Sequence, residues 1–125
     1  MHTQVLISIK PEFALKIFDW SKRFEFRKTI FKNTEIKKII VYASSPIQKV
    51  IWEFEVEYVL CKDIDNLWLE TEEYAWISKE FFLEYFKDKS VWYAIKIKNP
   101  KKYKNFLGLK NNFNIDFAPQ SFIYL

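Results

Sequence analysis

Hydrophobic and polar positions along this chain switch between two periods, and the switches mark out its elements. Val5 to Ile9 predicts a strand. Lys10-Pro11-Glu12 opens a helix, since proline suits the first helical turn and an acid there meets the positive end of the macrodipole. Phe13, Ala14, Ile17 and Phe18 follow at helical spacing and form one apolar face, with the helix ending near Trp20-Ser21. From Phe24 to Lys28 the period becomes two: Phe24 and Phe26 point one way, Glu25 and Arg27 the other. A polar link at Lys32-Asn33-Thr34 leads to Lys38–Ala43, a continuous apolar run suited to a central strand covered on both faces.

After a turn at Ser44-Ser45-Pro46 comes the longest strand signal. Val50, Trp52, Phe54, Val56, Tyr58 and Leu60 alternate with Ile51, Glu53, Glu55, Glu57 and Val59. A strand of this length must bend, as strands do around a small barrel. Two helical segments follow, one from Asp63 to Tyr74 with Asp63 as cap. The other is capped by Ser78 and gathers Phe81, Phe82, Tyr85 and Phe86 on one face. Ser90 to Lys98 returns to strand, with Val91, Tyr93, Ile95 and Ile97 on one side, and Pro100 is expected to end it. Lys101 to Leu125 reads as loop apart from a last strand, Ser121 to Leu125. Each element's apolar face nominates Phe13, Ile17, Phe24, Phe26, Val41, Trp52, Phe54, Tyr93 and Ile95 for one core.

The chain has 125 residues, half of them hydrophobic and 20% aromatic, which suits one domain over 1–125 with a core needing neither disulfide nor metal. Cys61, read as buried and inert, has no partner for an internal disulfide, which fits a reducing cytoplasm. No apolar run approaches the roughly 20 residues of a membrane span, and the start lacks a signal-peptide pattern, so the expectation is a soluble intracellular protein. One glycine in the whole chain rules out Gly-rich phosphate loops, and one histidine with one cysteine argues against a zinc or Cys–His catalytic site. No cofactor or metal is implied.

The net charge is +4, from 20 basic and 16 acidic residues, and all but Arg23 and Arg27 of the basic ones are lysines. Residues 63 to 88 are strongly acidic, while 96 to 110 carry lysines and no acid, which predicts a polarised surface. Lys98, Lys101, Lys102 and Lys104, with Tyr103 and Phe106 among them, are candidates for tracking a nucleic-acid backbone, and are equally read as a solvated face. The densest chemistry lies at Lys22, Glu25 and Arg27. Glu25 and Arg27 are about 7 Å apart on one strand face, and Lys22 reaches the same space from the preceding turn. An amine, a carboxylate and a guanidinium together can hold an anion, move a proton, or neutralise one another.

These residues resemble the central motif of the ASCH domain family, a branch of the PUA-like superfamily. Lys22, Glu25 and Arg27 stand at the family spacing G-x-K-x-x-E-x-R, with Trp20 in place of the glycine. Ser8-Ile9-Lys10-Pro11, Tyr42-Ala43-Ser44-Ser45-Pro46, Glu53-Phe54-Glu55-Val56 and Pro119 to Leu125 extend the resemblance, in order, over nearly the whole chain. The resemblance implies an α+β fold, a small mixed β-barrel with two to three helices packed on it and a cleft lined by the motif. It also implies RNA binding. One branch of the family hydrolyses acetylcytidine with a lysine, a threonine and a later glutamate, and another has ribonuclease activity. Lys22 matches the lysine of the hydrolase branch, Glu25 stands at its threonine, and Glu72 or Glu73 is the candidate for the further carboxylate.

The leading expectation is therefore an RNA- or modified-nucleotide-binding module. Its cleft holds a base or nucleotide against Trp20, Lys22, Glu25 and Arg27, with hydroxyls from Ser44 and Ser45. The alternative is an enzyme in the same cleft, a metal-independent ribonuclease or nucleoside amidohydrolase, with Lys22, Glu25 and Glu73 as its catalytic groups. A weaker alternative is a regulatory domain that binds a protein partner through its acidic helices.

Overall fold

The computed structural model describes residues 3–16, 22–75, 77–86 and 92–125. In chain order its elements are β1 (Gln4–Ile9), α1 (Pro11–Lys16), β2 (Phe24–Arg27), β3 (Lys38–Ala43) and β4 (Lys49–Lys62). Then come α2 (Ile64–Thr71), a 3₁₀ turn (Glu72–Tyr74), α3 (Lys79–Phe86), β5 (Trp92–Leu107), α4 (Leu109–Phe113) and β6 (Phe122–Tyr124). The strands form one sheet in the order β2-β5-β4-β3-β1-β6. β1 runs parallel to β3, and the other four pairs are antiparallel. The sheet curls into a half-barrel that carries four short helices among the described residues, an α+β fold with one helix more than expected. No described helix is long and apolar enough to cross a membrane.

Both expected helix caps form. The Asp63 carboxylate accepts from the Asn66 backbone N–H at 3.0 Å, and the Ser78 hydroxyl accepts from that of Phe81 at 3.1 Å. Buried side chains fall into three clusters on the two faces of the sheet. The largest gathers Val5, Ile7, Ile39, Val41, Trp52, Phe54, Ile95 and Ile97, with Phe13 packed against it. On the opposite face, Phe24, Phe26, Trp92 and Ala94 pack with Leu67 of α2 and Phe82 of α3. A third cluster, Leu6, Ile40, Tyr42 and Val50, is covered by Leu109, Phe113 and Ile115.

The single core expected from the nine nominated residues is thus divided. Val41, Trp52, Phe54 and Ile95 lie together, but Phe24 and Phe26 lie across the sheet from them. Tyr93 is half-buried, and Ile17 falls outside the described residues. The reason is register. Phe26 is opposite Ala94 and Glu25 is opposite Ile95, and cross-strand partners share a face. The phenylalanines therefore join the helices, and the carboxylate of Glu25 points to the side of the main core.

β4 departs from its simple alternation as well. Ile51 and Trp52 are consecutive yet share the main cluster, and Val56 packs there while Leu60 packs with the helices. The pairing of β4 with β5 shifts between Val50 and Trp52, Glu53 and Glu55, and Val56 and Tyr58. The first and last turn the following β4 side chains over, while Trp52, Phe54 and Val56 keep one face across the middle shift, whose extra residue lies in β5. β5 does not end at Pro100. Asn99 adopts a left-handed conformation (φ 49°) beside the shift at Glu53/Glu55, and its side chain donates to Glu55 at 2.8 Å. In such a bulge a proline's missing N–H costs no ladder bond, so the strand runs on to Leu107. Cys61, expected to be buried, is exposed near the far end of β4.

Candidate functional site

β2 and β6 are the two edges of the sheet, and the curl brings them face to face. Side chains, not a backbone ladder, close this seam. Arg27 at the end of β2 donates through Nη1 to the Ser8 carbonyl at 3.3 Å. Through Nη2 it donates to the Ser121 carbonyl at 3.0 Å and to the Ser121 hydroxyl at 2.8 Å. Beyond β2, the backbone N–H groups of Lys32 and Asn33 donate to the Tyr124 hydroxyl at 3.1 and 3.4 Å, and Phe31 meets Phe122 edge-on.

A cleft of about 640 Å³ lies along the seam, within the range of small-molecule and nucleotide sites. Lys22 and Glu25 line it although only 3% and 6% of each is exposed. Lys22 Nζ is hydrogen-bonded to Glu25 Oε1, and Arg27 Nη1 stands 3.5 Å from Oε2. Two cations thus share one carboxylate, which offsets the cost of burying all three and leaves a net positive charge at the base of the cleft. The Lys22 ammonium also lies 5.7 Å from the centre of the Phe13 ring.

One wall is apolar. Phe13 and Phe81 meet at 5.9 Å between ring centres, with Ile77 and Tyr42 also lining the space. Hydroxyls of Ser8, Thr29, Ser44, Ser45 and Ser121 line the rest, and exposed Lys10 and Lys28 stand at the rim. The chain from Ala118 to Ser121 forms a further wall, held where Ser8 Oγ donates to the Pro119 carbonyl at 2.7 Å. Gln48 lines the cleft in a left-handed conformation, φ 53°. Among the lining residues there are four cations and one carboxylate.

Five residues nominated from the sequence, Lys22, Glu25, Arg27, Ser44 and Ser45, line this cleft, and Trp20 falls outside the described residues. Glu72 and Glu73 are exposed on the 3₁₀ turn and do not line it. Lys98, Lys101, Lys102 and Lys104 also lie away from it, on the exposed arm of β5, where β4 opposes two of them with acids. Glu55 is opposite Lys98, Glu53 is opposite Lys101, and Glu57 reaches Lys96 at 4.0 Å. The sequence nomination did not include Ser8, Lys10, Phe13, Lys28, Tyr42, Phe81 or Ser121. The segments Ser8 to Pro11 and Pro119 to Leu125, already part of the family resemblance, held the signal for several of them. Among the described residues, no three His, Cys, Asp or Glu side chains are grouped so as to hold a metal ion.

No family model matches the sequence. An ASCH domain-containing ribonuclease of Zymomonas mobilis is 29% identical over 127 residues, covering 98% of this chain and 84% of that protein. The crystal structure of ASCH from Zymomonas mobilis superposes with a TM-score of 0.89 at 26% identity, covering 98% of this chain and 87% of that one. The chain is an ASCH domain. A similar sequence also occurs within a Ureaplasma parvum protein named large ribosomal subunit protein uL22, 32% identical over 122 residues. That match takes in 97% of this ASCH domain but only 39% of the Ureaplasma protein, so the chain spans about two-fifths of that relative's length.

Proposed function

We propose that this ASCH domain binds single-stranded RNA, seating one nucleotide in the seam cleft. The observation that carries the reading is the composition of the lining, four cations to one carboxylate around a wall of exposed aromatic surface. The cations suit a phosphate, the Phe13–Phe81 wall suits a base face, and the serine and threonine hydroxyls suit a ribose 2′-hydroxyl. A base must be unstacked from a duplex to enter, which favours single strands. The test is fluorescence anisotropy with a labelled single-stranded octaribonucleotide, the same sequence as a duplex, and the same sequence as DNA. Single-stranded RNA is expected to bind most tightly. Equal binding of the three, or none, overturns the reading.

RNA cleavage is the second reading, favoured by the relative named as a ribonuclease. In cleavage by the RNA's own 2′-hydroxyl, that oxygen loses its proton and bonds to phosphorus, leaving a 2′,3′-cyclic phosphate, while the bond to the 5′-oxygen breaks and that oxygen gains a proton. Glu25 is the one carboxylate among the lining residues, and Lys22 and Arg27 already engage it. Other proton carriers lining this cleft include Lys22, which shares that pair, and the hydroxyls of Tyr42 and Ser121. Incubating the octaribonucleotide with wild type, Lys22→Ala, Lys22→Arg and Tyr42→Phe separates the readings. Binding without product, kept by arginine and weakened by alanine, supports a reader. Product formation abolished in both Lys22 variants supports an enzyme.

A further inference from the structure

We infer that Phe117 is a second base-stacking position, just outside the cleft, for the nucleotide next to the one seated inside; the inference rests on the RNA-binding reading. Phe117 is 87% exposed, the most open large apolar side chain among the described residues. Single exposed apolar residues are common and need no explanation. Phe117 differs in its position and in how its backbone is held. It immediately precedes Ala118, which begins the lining wall, so the Cα atoms of the two residues are about 3.8 Å apart.

The segment that carries it is fixed at both ends. Upstream, the Ile115 N–H donates to the Leu109 carbonyl at 3.2 Å and its side chain packs on the third cluster, while Asp116 pairs with Lys110 at 2.8 Å. Downstream, Pro119 accepts from Ser8 and Ser121 from Arg27. An aromatic ring held out on a pinned backbone pays little ordering entropy when it meets a flat partner. Beside a cationic cleft with its own aromatic wall, the flat partner that fits is the next base of a single strand. Stacking tolerates any base, so this position adds affinity and length preference and leaves base identity to the cleft.

The experiment compares adenosine 5′-monophosphate with oligoadenylates of two, four and eight nucleotides, on wild type, Phe81→Ala, Phe117→Ala and Phe117→Trp. Phe81→Ala is expected to weaken the mononucleotide and the oligomers alike, because Phe81 lines the cleft. The loss from Phe117→Ala is expected only once a second nucleotide is present, at roughly 5- to 150-fold, the range of one base stack. Phe117→Trp restores it. Leu69→Ala, an exposed apolar residue on α2 away from the cleft, controls for loss of surface hydrophobicity and changes neither. If wild type binds oligomers and Phe117→Ala keeps the same gain with length, the second position is overturned. If wild type binds neither mononucleotide nor oligomer, the cleft reading fails and takes the second position with it.

Discussion

Arg27 donates to both the carbonyl and the hydroxyl of Ser121, at 3.0 and 2.8 Å, and so ties one edge of the sheet to the other. The guanidinium does this with its planar fork, reaching Ser8 and Glu25 through one nitrogen and Ser121 through the other. Arg27→Lys keeps the charge and loses the fork. It is expected to lower the unfolding free energy by about 2–3 kcal/mol, the scale of charge-assisted hydrogen bonds lost in a largely buried place. Urea denaturation measures it, and a change under about 0.5 kcal/mol would mean that the closure does not depend on the fork.

Lys22 and Glu25 separate stability from function. Glu25→Gln strips a 3%-exposed ammonium of its carboxylate and is expected to cost about 3–5 kcal/mol. Replacing both, as Lys22→Met with Glu25→Leu, removes the buried charges together and is expected to recover most of that loss. RNA affinity should not recover with it, since the cation at the base of the cleft is gone. A double variant that folds stably and binds RNA as wild type would make the pair purely structural.

Salt dependence identifies which lysines meet phosphate. Each phosphate contact to a single strand contributes about −0.7 to the slope of log affinity against log salt. Lys10→Gln with Lys28→Gln, at the cleft rim, is expected to flatten the slope by about 1.4 if both make contact. Lys101→Gln with Lys102→Gln is expected to leave it nearly unchanged, because β4 sets carboxylates along that arm, Glu53 opposite Lys101 among them. The reverse result would move the RNA track from the cleft to the arm.

The elements up to β4 are legible because each follows one local rule: an apolar run, a cap, a proline in a first turn. What was not legible depends on pairs distant in sequence. Pro100 reads as a stop, and only the bulge at Asn99, set by Glu53 and Glu55 on the neighbouring strand, lets β5 continue past it. α4 is five residues long, beginning after its N-cap Gly108, and is too short for a periodic signal. Glu25 was legible as part of a charged motif, but its burial follows from lying opposite Ile95. Ser121 joins the site only because the sheet curls far enough for its edges to meet.

Tyr103 supplies a test in pH. Burial, and then its hydrogen bond and proximity to the Glu53 carboxylate at 3.0 Å, push its phenol well above the ordinary value of about 10. The folded protein holds this proton more tightly than the unfolded chain. The resulting stability is fully present below about pH 10 and is lost as pH rises beyond it. Tyr103→Phe is therefore expected to show a shallower alkaline loss of stability than wild type, followed by thermal melts from pH 8 to 11. Identical alkaline profiles would remove Tyr103 as the source.

The bonds that complete the cleft join residues very far apart along the chain, 94 positions for Arg27 and Ser121 and 111 for Ser8 and Pro119. Contacts of that separation close late in folding, after the local hairpins have formed, and they are natural first points of opening. A fluctuation that lifts β6 from β1 dismantles the site while the four inner strands stay paired. The chain can therefore be folded by most spectroscopic measures and still lack a binding site. A ligand seated against Ser121 opposes that opening, so occupancy should be readable as slower amide exchange along β6.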